Sequence, residues 1–154
     1  MANGDDWKSR DLADCAKKRL VSAKQLENID RTAATYIAGI ACESMFRSLR
    51  YKNKRTHNSG HSIIDLAREC GYFDVIPFEL KAEVNAKLKV LKDYWWNELR
   101  YANENHQLRK YLNTNVFPKR KNYNNFDEDL KMVYQNVYAA VEFLIKKGVE
   151  HAGI

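Results

Sequence analysis

From Leu80 to His106 the chain reads LKAEVNAKLKVLKDYWWNELRYANENH, and Leu80, Val84, Leu88, Leu91, Trp95 and Leu99 recur within it every three or four positions. That spacing is one buried stripe on a long α-helix, and it excludes a strand, whose faces alternate with period two. The period is lost at Arg100, where Tyr-Ala-Asn-Glu-Asn leads to His106. A cation and a titratable imidazole bracket the point where the buried helix loosens, and the sequence places its chemistry there.

A helix with one apolar face needs neighbours to cover it. Upstream, Asp5 or Asp6 caps a first helix on which Trp7, Leu12, Ala16, Leu20 and Ala23 form a stripe as far as about Asn28. A second segment, Arg31 to Leu49, is apolar almost all round, so it is central, and its alanines and Gly39 let neighbours approach closely. Glu43 interrupts it. A buried carboxylate needs a partner, so Glu43 either pairs with a base of another helix or lies at an edge. Ser62 with Asp65 starts a short helix that Gly71 ends, and Pro77 suits the first turn of the long helix. Leu108 and Tyr111 to Leu112 add one more turn, NTNVFPKRKNYNN is a loop, and Asp127 to Lys147 is a last helix. On that helix Leu130, Val133, Val137, Val141, Leu144 and Ile145 form the stripe and Gly148 is the stop. No segment alternates as a strand does. The fold class is all-α, an antiparallel helical bundle of about five helices, with residues 1–154 as a single domain.

Cys15, Cys42 and Cys70 are odd in number and widely spaced, with no CxxC pair and no histidine at zinc-finger spacing. They read as reduced core thiols in a cytoplasmic protein, and no metal or cofactor is implied. The start, MANGDDWKSRD, has no signal-peptide core, and no apolar run approaches the roughly eighteen residues that cross a bilayer, so no membrane partner is expected.

Net charge is +6, but its distribution carries more than its total. Between Glu43 and Asp65 lie Arg47, Arg50, Lys52, Lys54 and Arg55 without an acid; between Glu104 and Asp127 lie Arg109, Lys110, Lys119, Arg120 and Lys121 without an acid. Outside these windows sixteen bases face twenty acids. Two focused basic fields suit a polyanion, and Tyr51 and Tyr123 within them are candidates to stack on bases. The plainer reading is that loop lysines and arginines only keep the chain in solution.

A capped first helix, a small-residue second helix reading YIAGIACESMFRSL, HSIIDL after a basic loop, and a long helix ending WNELRY follow one another in this order. Together, from about Trp7 to Ile145, they resemble the HEPN family of small helical bundles. The resemblance implies an antiparallel bundle that dimerises. In many members it also implies a metal-independent endoribonuclease whose motif is an arginine, four to six residues, then a histidine. Some members are toxins held in check by a small nucleotidyltransferase antitoxin, others act in antiviral defence. Others are non-catalytic and bind nucleic acid, nucleotide or a protein partner. Arg100 to His106, Arg50 to His57 and Arg55 to His61 all have the spacing. The family's motif lies near the end of its long penultimate helix, which selects Arg100 and His106.

The chemistry such a pair implies is physically simple. An imidazole titrating near neutrality takes the proton of an RNA 2′-hydroxyl or gives one to the leaving 5′-oxygen, while a guanidinium holds the phosphate as charge develops. On one continuous helix, six steps of about 100° would set Arg100 and His106 roughly 120° apart, so a local break or a dimer cleft is required. The alternative is structural: Arg100 pairs with Glu43 or closes a helix end, and His106 is ordinary surface. Trp95 and Trp96 are adjacent and face different ways, one into the core and one toward a dimer contact.

Overall fold

The computed structural model describes residues 4–56, 60, 62–95, 99, 112 and 126–154. Asp30 begins the central element: its side chain accepts the Ala33 N–H at 2.9 Å, satisfying one of the donors that every helix start leaves unpaired. From that cap α2 runs Arg31–Lys52, preceded by α1 at Gly4–Leu26. Then come α3 at Ile63–Glu69, α4 at Tyr72–Val75, α5 at Lys81–Tyr94 and α6 at Phe126–Ala152. Among the described residues there is no strand, and the protein is an all-α helical bundle.

Contacts between helix ends give the directions. Ser9, early in α1, and Ser48, late in α2, exchange hydroxyl-to-carbonyl bonds of 2.9 and 2.6 Å, so these two helices are antiparallel. Arg31 meets Asp127 at the starts of α2 and α6, and the Lys52 ammonium meets the Ala152 and Gly153 carbonyls at their ends, so α2 and α6 run parallel. The end of α5 reaches Tyr36 near the start of α2. Successive long helices therefore alternate in direction, with α2 central as its all-round apolar sequence requires.

Small residues set the packing. Ala13, Ala16 and Ala23 of α1 and Ala34, Ala38 and Ala41 of α2 are buried, which allows a close helix pair. The stripe expected on α6 is buried throughout, from Leu130 to Ile145. Two tyrosines carry hydroxyls into this core: Tyr72 donates to the Leu144 carbonyl at 2.9 Å and Tyr134 to the Ala23 carbonyl at 3.4 Å. Burial holds both phenols above their usual range. Cys42 and Cys70 are buried free thiols, and burial is the main cause that pushes Cys70 up to about 12 and Cys42 in the same direction.

Several boundaries differ from the sequence expectation. Helix α1 begins at Gly4, before either aspartate expected as its cap. Trp7 is 56% exposed and no part of the core, because Ser9, Ala13 and Ala16 are the residues turned to α2. Pro77 leads a 3₁₀ turn, Phe78–Leu80, before α5 begins. Gly148 does not stop α6. It lies buried inside the helix, where a Cβ would meet the Met45 sulfur at 3.0 Å, and the left-handed residue at the end is Gly153, φ 63°. Ser62 and Gly71 (φ 88°) bound α3 as expected. The turn expected at Leu108 and Tyr111 and the loop over 113–125 lie outside the described residues, while Leu112 is buried.

Candidate functional site

The long helix ends earlier than its stripe implies. Helix α5 stops at Tyr94, and Trp95 takes an extended backbone, φ −116° and ψ 131°. The cause lies on α2. Gly39 leaves a notch that the indole fills so closely that a Cβ on Gly39 would sit 2.0 Å from two of its atoms. Within the notch the Trp95 Nε1 donates to the Tyr36 carbonyl at 3.2 Å, and the ring stacks on Tyr36 at 6.4 Å between centroids and 17° between planes. Seating an indole against two residues of the central helix outweighs one further turn of α5. Leu99, immediately before Arg100, is buried, as is Leu112. Arg100 and His106 themselves lie outside the described residues.

The face of α2 that receives Trp95 continues through Tyr36, Gly39, Glu43 and Arg47, spaced three and four apart. Glu43 is only 6% exposed. Arg47 gives its carboxylate two bonds, from Nε at 3.0 Å and Nη2 at 2.8 Å, and the same Nη2 reaches the Gly60 carbonyl at 2.6 Å. The sequence reading sought Glu43's partner on another helix. This partner stands one turn on in the same helix, the order in which an acid preceding a base suits the helix dipole. The pair brings Gly60, which lies between the basic loop and α3, against α2.

The rest of the first basic window is divided among several tasks. Lys52 closes the C-terminal end of α6. Arg55 pairs with Asp74 at 3.0 Å, with both side chains more than half exposed, so the contact is worth little to stability. Lys54 is exposed and left-handed at φ 52°, in the cap where its N–H bonds the Tyr51 carbonyl and the Arg55 N–H bonds the Arg50 carbonyl. The Arg50 guanidinium lies 5.0 Å from the Tyr51 ring centroid. On the same ring, at 5.6 Å, sits the ammonium of Lys8, which is also 5.9 Å from the Trp7 ring. Trp7 and Lys8 escaped the sequence reading because Trp7 was assigned to a stripe whose period it does not keep, five residues before Leu12. The available signal was the pair of aromatic–cation dipeptides, Trp7-Lys8 and Arg50-Tyr51, on helices joined by a short link. Arg109, Lys110, Lys119, Arg120, Lys121, His57, His61, Trp96 and Tyr123 lie outside the described residues.

Beside this surface a cleft of ≈ 230 Å³ opens between α1 and α2, lined by Ser9, Arg10, Ala13, Ser48, Lys52 and Gly153. Among the described residues no group of three or more His, Cys, Asp or Glu is placed to hold a metal ion, and no helix is long and apolar enough to cross a membrane. Comparison with protein-family models, curated proteins and solved structures found no match.

Proposed function

We propose that this chain is a HEPN-like RNA-acting protein, a metal-independent endoribonuclease of a toxin–antitoxin or defence system, in which Arg100 and His106 carry the reaction. The observation that supports it most is the anchoring at Trp95 and Leu99: a buried indole and a buried leucine give the chain two fixed points directly before Arg100. A reactive group held within a fraction of an ångström needs that kind of support.

In this reading His106 takes the proton from a ribose 2′-hydroxyl, whose oxygen attacks the adjacent phosphorus. The 5′-oxygen departs with a proton from the imidazole of a second copy, leaving a cyclic phosphate and a 5′-hydroxyl. Arg100 holds the non-bridging oxygens as their charge rises. A twofold dimer supplies both imidazoles. The partners proposed are RNA, a second copy of the chain and a small nucleotidyltransferase antitoxin, and the place of action is the cytoplasm.

The test is cleavage of single-stranded RNA by purified protein in a chelator. Arg100→Ala and His106→Ala should each reduce the rate by about a hundredfold or more, and a 2′-deoxy sugar at the cut should resist. An active His106→Ala with a dead His57→Ala or His61→Ala would move the site to the first basic loop, and an inert wild type would remove the enzyme. The second reading, a non-catalytic module binding nucleic acid, nucleotide or a protein partner, is favoured by the cations on Tyr51, which need no chemistry at Arg100 to hold a phosphate. A nucleotidyltransferase reading frame beside the gene would support the toxin assignment.

A further inference from the structure

Four side chains from two helices alternate in space as cation and ring: the Arg50 guanidinium, the Tyr51 phenol, the Lys8 ammonium and the Trp7 indole. We infer that this ladder is a binding site for single-stranded RNA, in which Lys8 and Arg50 hold phosphates and the open face of Trp7 stacks on an unpaired base. The inference rests on the reading that the protein acts on RNA, and it adds a second contact surface built on residues apart from Arg100 and His106.

The physical case begins with charge. Two cations lie over one ring, at 5.6 and 5.0 Å from its centroid. Neither has a carboxylate partner among the described residues, and the Arg50 Nε has no acceptor there. A phosphate supplies the anionic acceptor that both cations lack there. Tyr51 is half-buried and spends its ring on the two cations, so it acts as their mount. Trp7 terminates the ladder and is 56% exposed, an indole placed where burial gains little and where a base could cover it.

The cap that follows adds an independent sign. Lys54 holds φ 52°, a conformation that costs a lysine and suits a glycine. The residues around it, Arg50 and Arg55, occupy the two positions where such a cap ordinarily places an apolar contact. Of the cations in this cap Lys54 is the one whose own backbone disfavours it, since Arg50 in the last turn of α2 suits the helix dipole and Arg55 pairs with Asp74.

Trp7 shares its face of α1 with exposed Asp11 and Asp14, four and seven residues on. A flat anionic membrane would meet those carboxylates together with the indole, whereas a strand can pass along the ladder beside them. A duplex offers no unpaired base to the indole. Single-stranded RNA is therefore the occupant that fits.

The experiment measures anisotropy of a labelled twelve-nucleotide 2′-O-methyl oligouridine, in a chelator, so that binding is read without cleavage. Trp7→Ala should weaken binding by about fivefold to a hundredfold, and Trp7→Phe, which keeps a ring, should recover most of it. Lys8→Gln with Arg50→Gln should lower the slope of log affinity against log salt by about 1.4, two cations at roughly 0.7 each on a single strand. That double variant carries the test if Trp7→Ala lowers the melting temperature. Unchanged affinity in Trp7→Ala together with an unchanged slope overturns the inference, as does a Trp7 effect confined to phosphatidylserine vesicles. Ladder-dependent binding by a protein that cleaves no RNA would support the ladder and remove the ribonuclease. Cleavage and binding both indifferent to Trp7, Lys8 and Arg50 would do the reverse.

Discussion

Replacing Gly39 by alanine should destabilise this protein, although in a helix interior the same change ordinarily stabilises by roughly 0.8–1.0 kcal/mol. The new Cβ would lie 2.0 Å from Cε2 and Nε1 of Trp95 and 2.4 Å from Cδ1, against a floor of about 3.0 Å for real contacts. The indole has little room to yield, since its ring stacks on Tyr36 and its N–H is committed to the Tyr36 carbonyl. Expelling it approaches the cost of a Trp→Ala change in a core, about 3–5 kcal/mol, so the net loss after the helix gain is about 2–4 kcal/mol. For a chain of this size that is a fall in melting temperature of about 4–16 °C. Urea unfolding followed by far-ultraviolet circular dichroism reads it without depending on tryptophan emission. The decisive arm is a double-mutant cycle: in a Trp95→Ala background, Gly39→Ala should become neutral or stabilising by about 1 kcal/mol. If Gly39→Ala costs the same in both backgrounds, the notch is not what seats Trp95, and the account of why α5 ends at Tyr94 fails with it.

Lys54→Gly should raise stability by up to about 1 kcal/mol in the same urea assay, by relieving a left-handed lysine, and should weaken RNA binding while doing so. The buried thiol of Cys70 predicts an alkaline limit. Its folded pKa of about 12 lies above the ordinary 9.0, so the folded state binds the proton more tightly. This contribution is complete below pH 9 and declines as pH rises from there toward 12, by at most about 1.4 kcal/mol per pH unit. Urea midpoints between pH 8 and 11 should fall less steeply for Cys70→Ala than for wild type, and parallel curves would show that the thiol does not titrate with unfolding.

The apolar period on α6 and the small-residue character of α2 could be read directly, because burial of a helix face is written residue by residue in its spacing. The same rule misjudged the length of α5, and Trp7 was set in a stripe whose period it does not keep. Five steps of about 100° put Trp7 roughly 140° from Leu12, off the face whose alanines pack on α2, so its indole stays in solvent. Leu80 to Leu99 keep a helical period through Trp95, yet the competing site for that indole is Gly39, some fifty residues away in the chain. Glu43 was legible as a buried acid in need of a base. That Arg47 would supply two bonds from the same helix while binding Gly60 followed from side-chain geometry alone.

The sequence by itself determined an all-α bundle, the central place of α2, the core stripe of α6 and the helix-bounding roles of Ser62 and Gly71, since each of these is a local matter of period, residue size or permitted φ. It also contained every cation of the basic windows, but as a list without positions. Only the tertiary structure decided that Lys52 closes α6, that Arg47 reaches the Gly60 carbonyl, and that Lys8 of α1 and Arg50 of α2 share one tyrosine ring. Charge counts are additive along a chain, whereas what a charge can do depends on which acceptors the fold has already brought within about 3 Å of it.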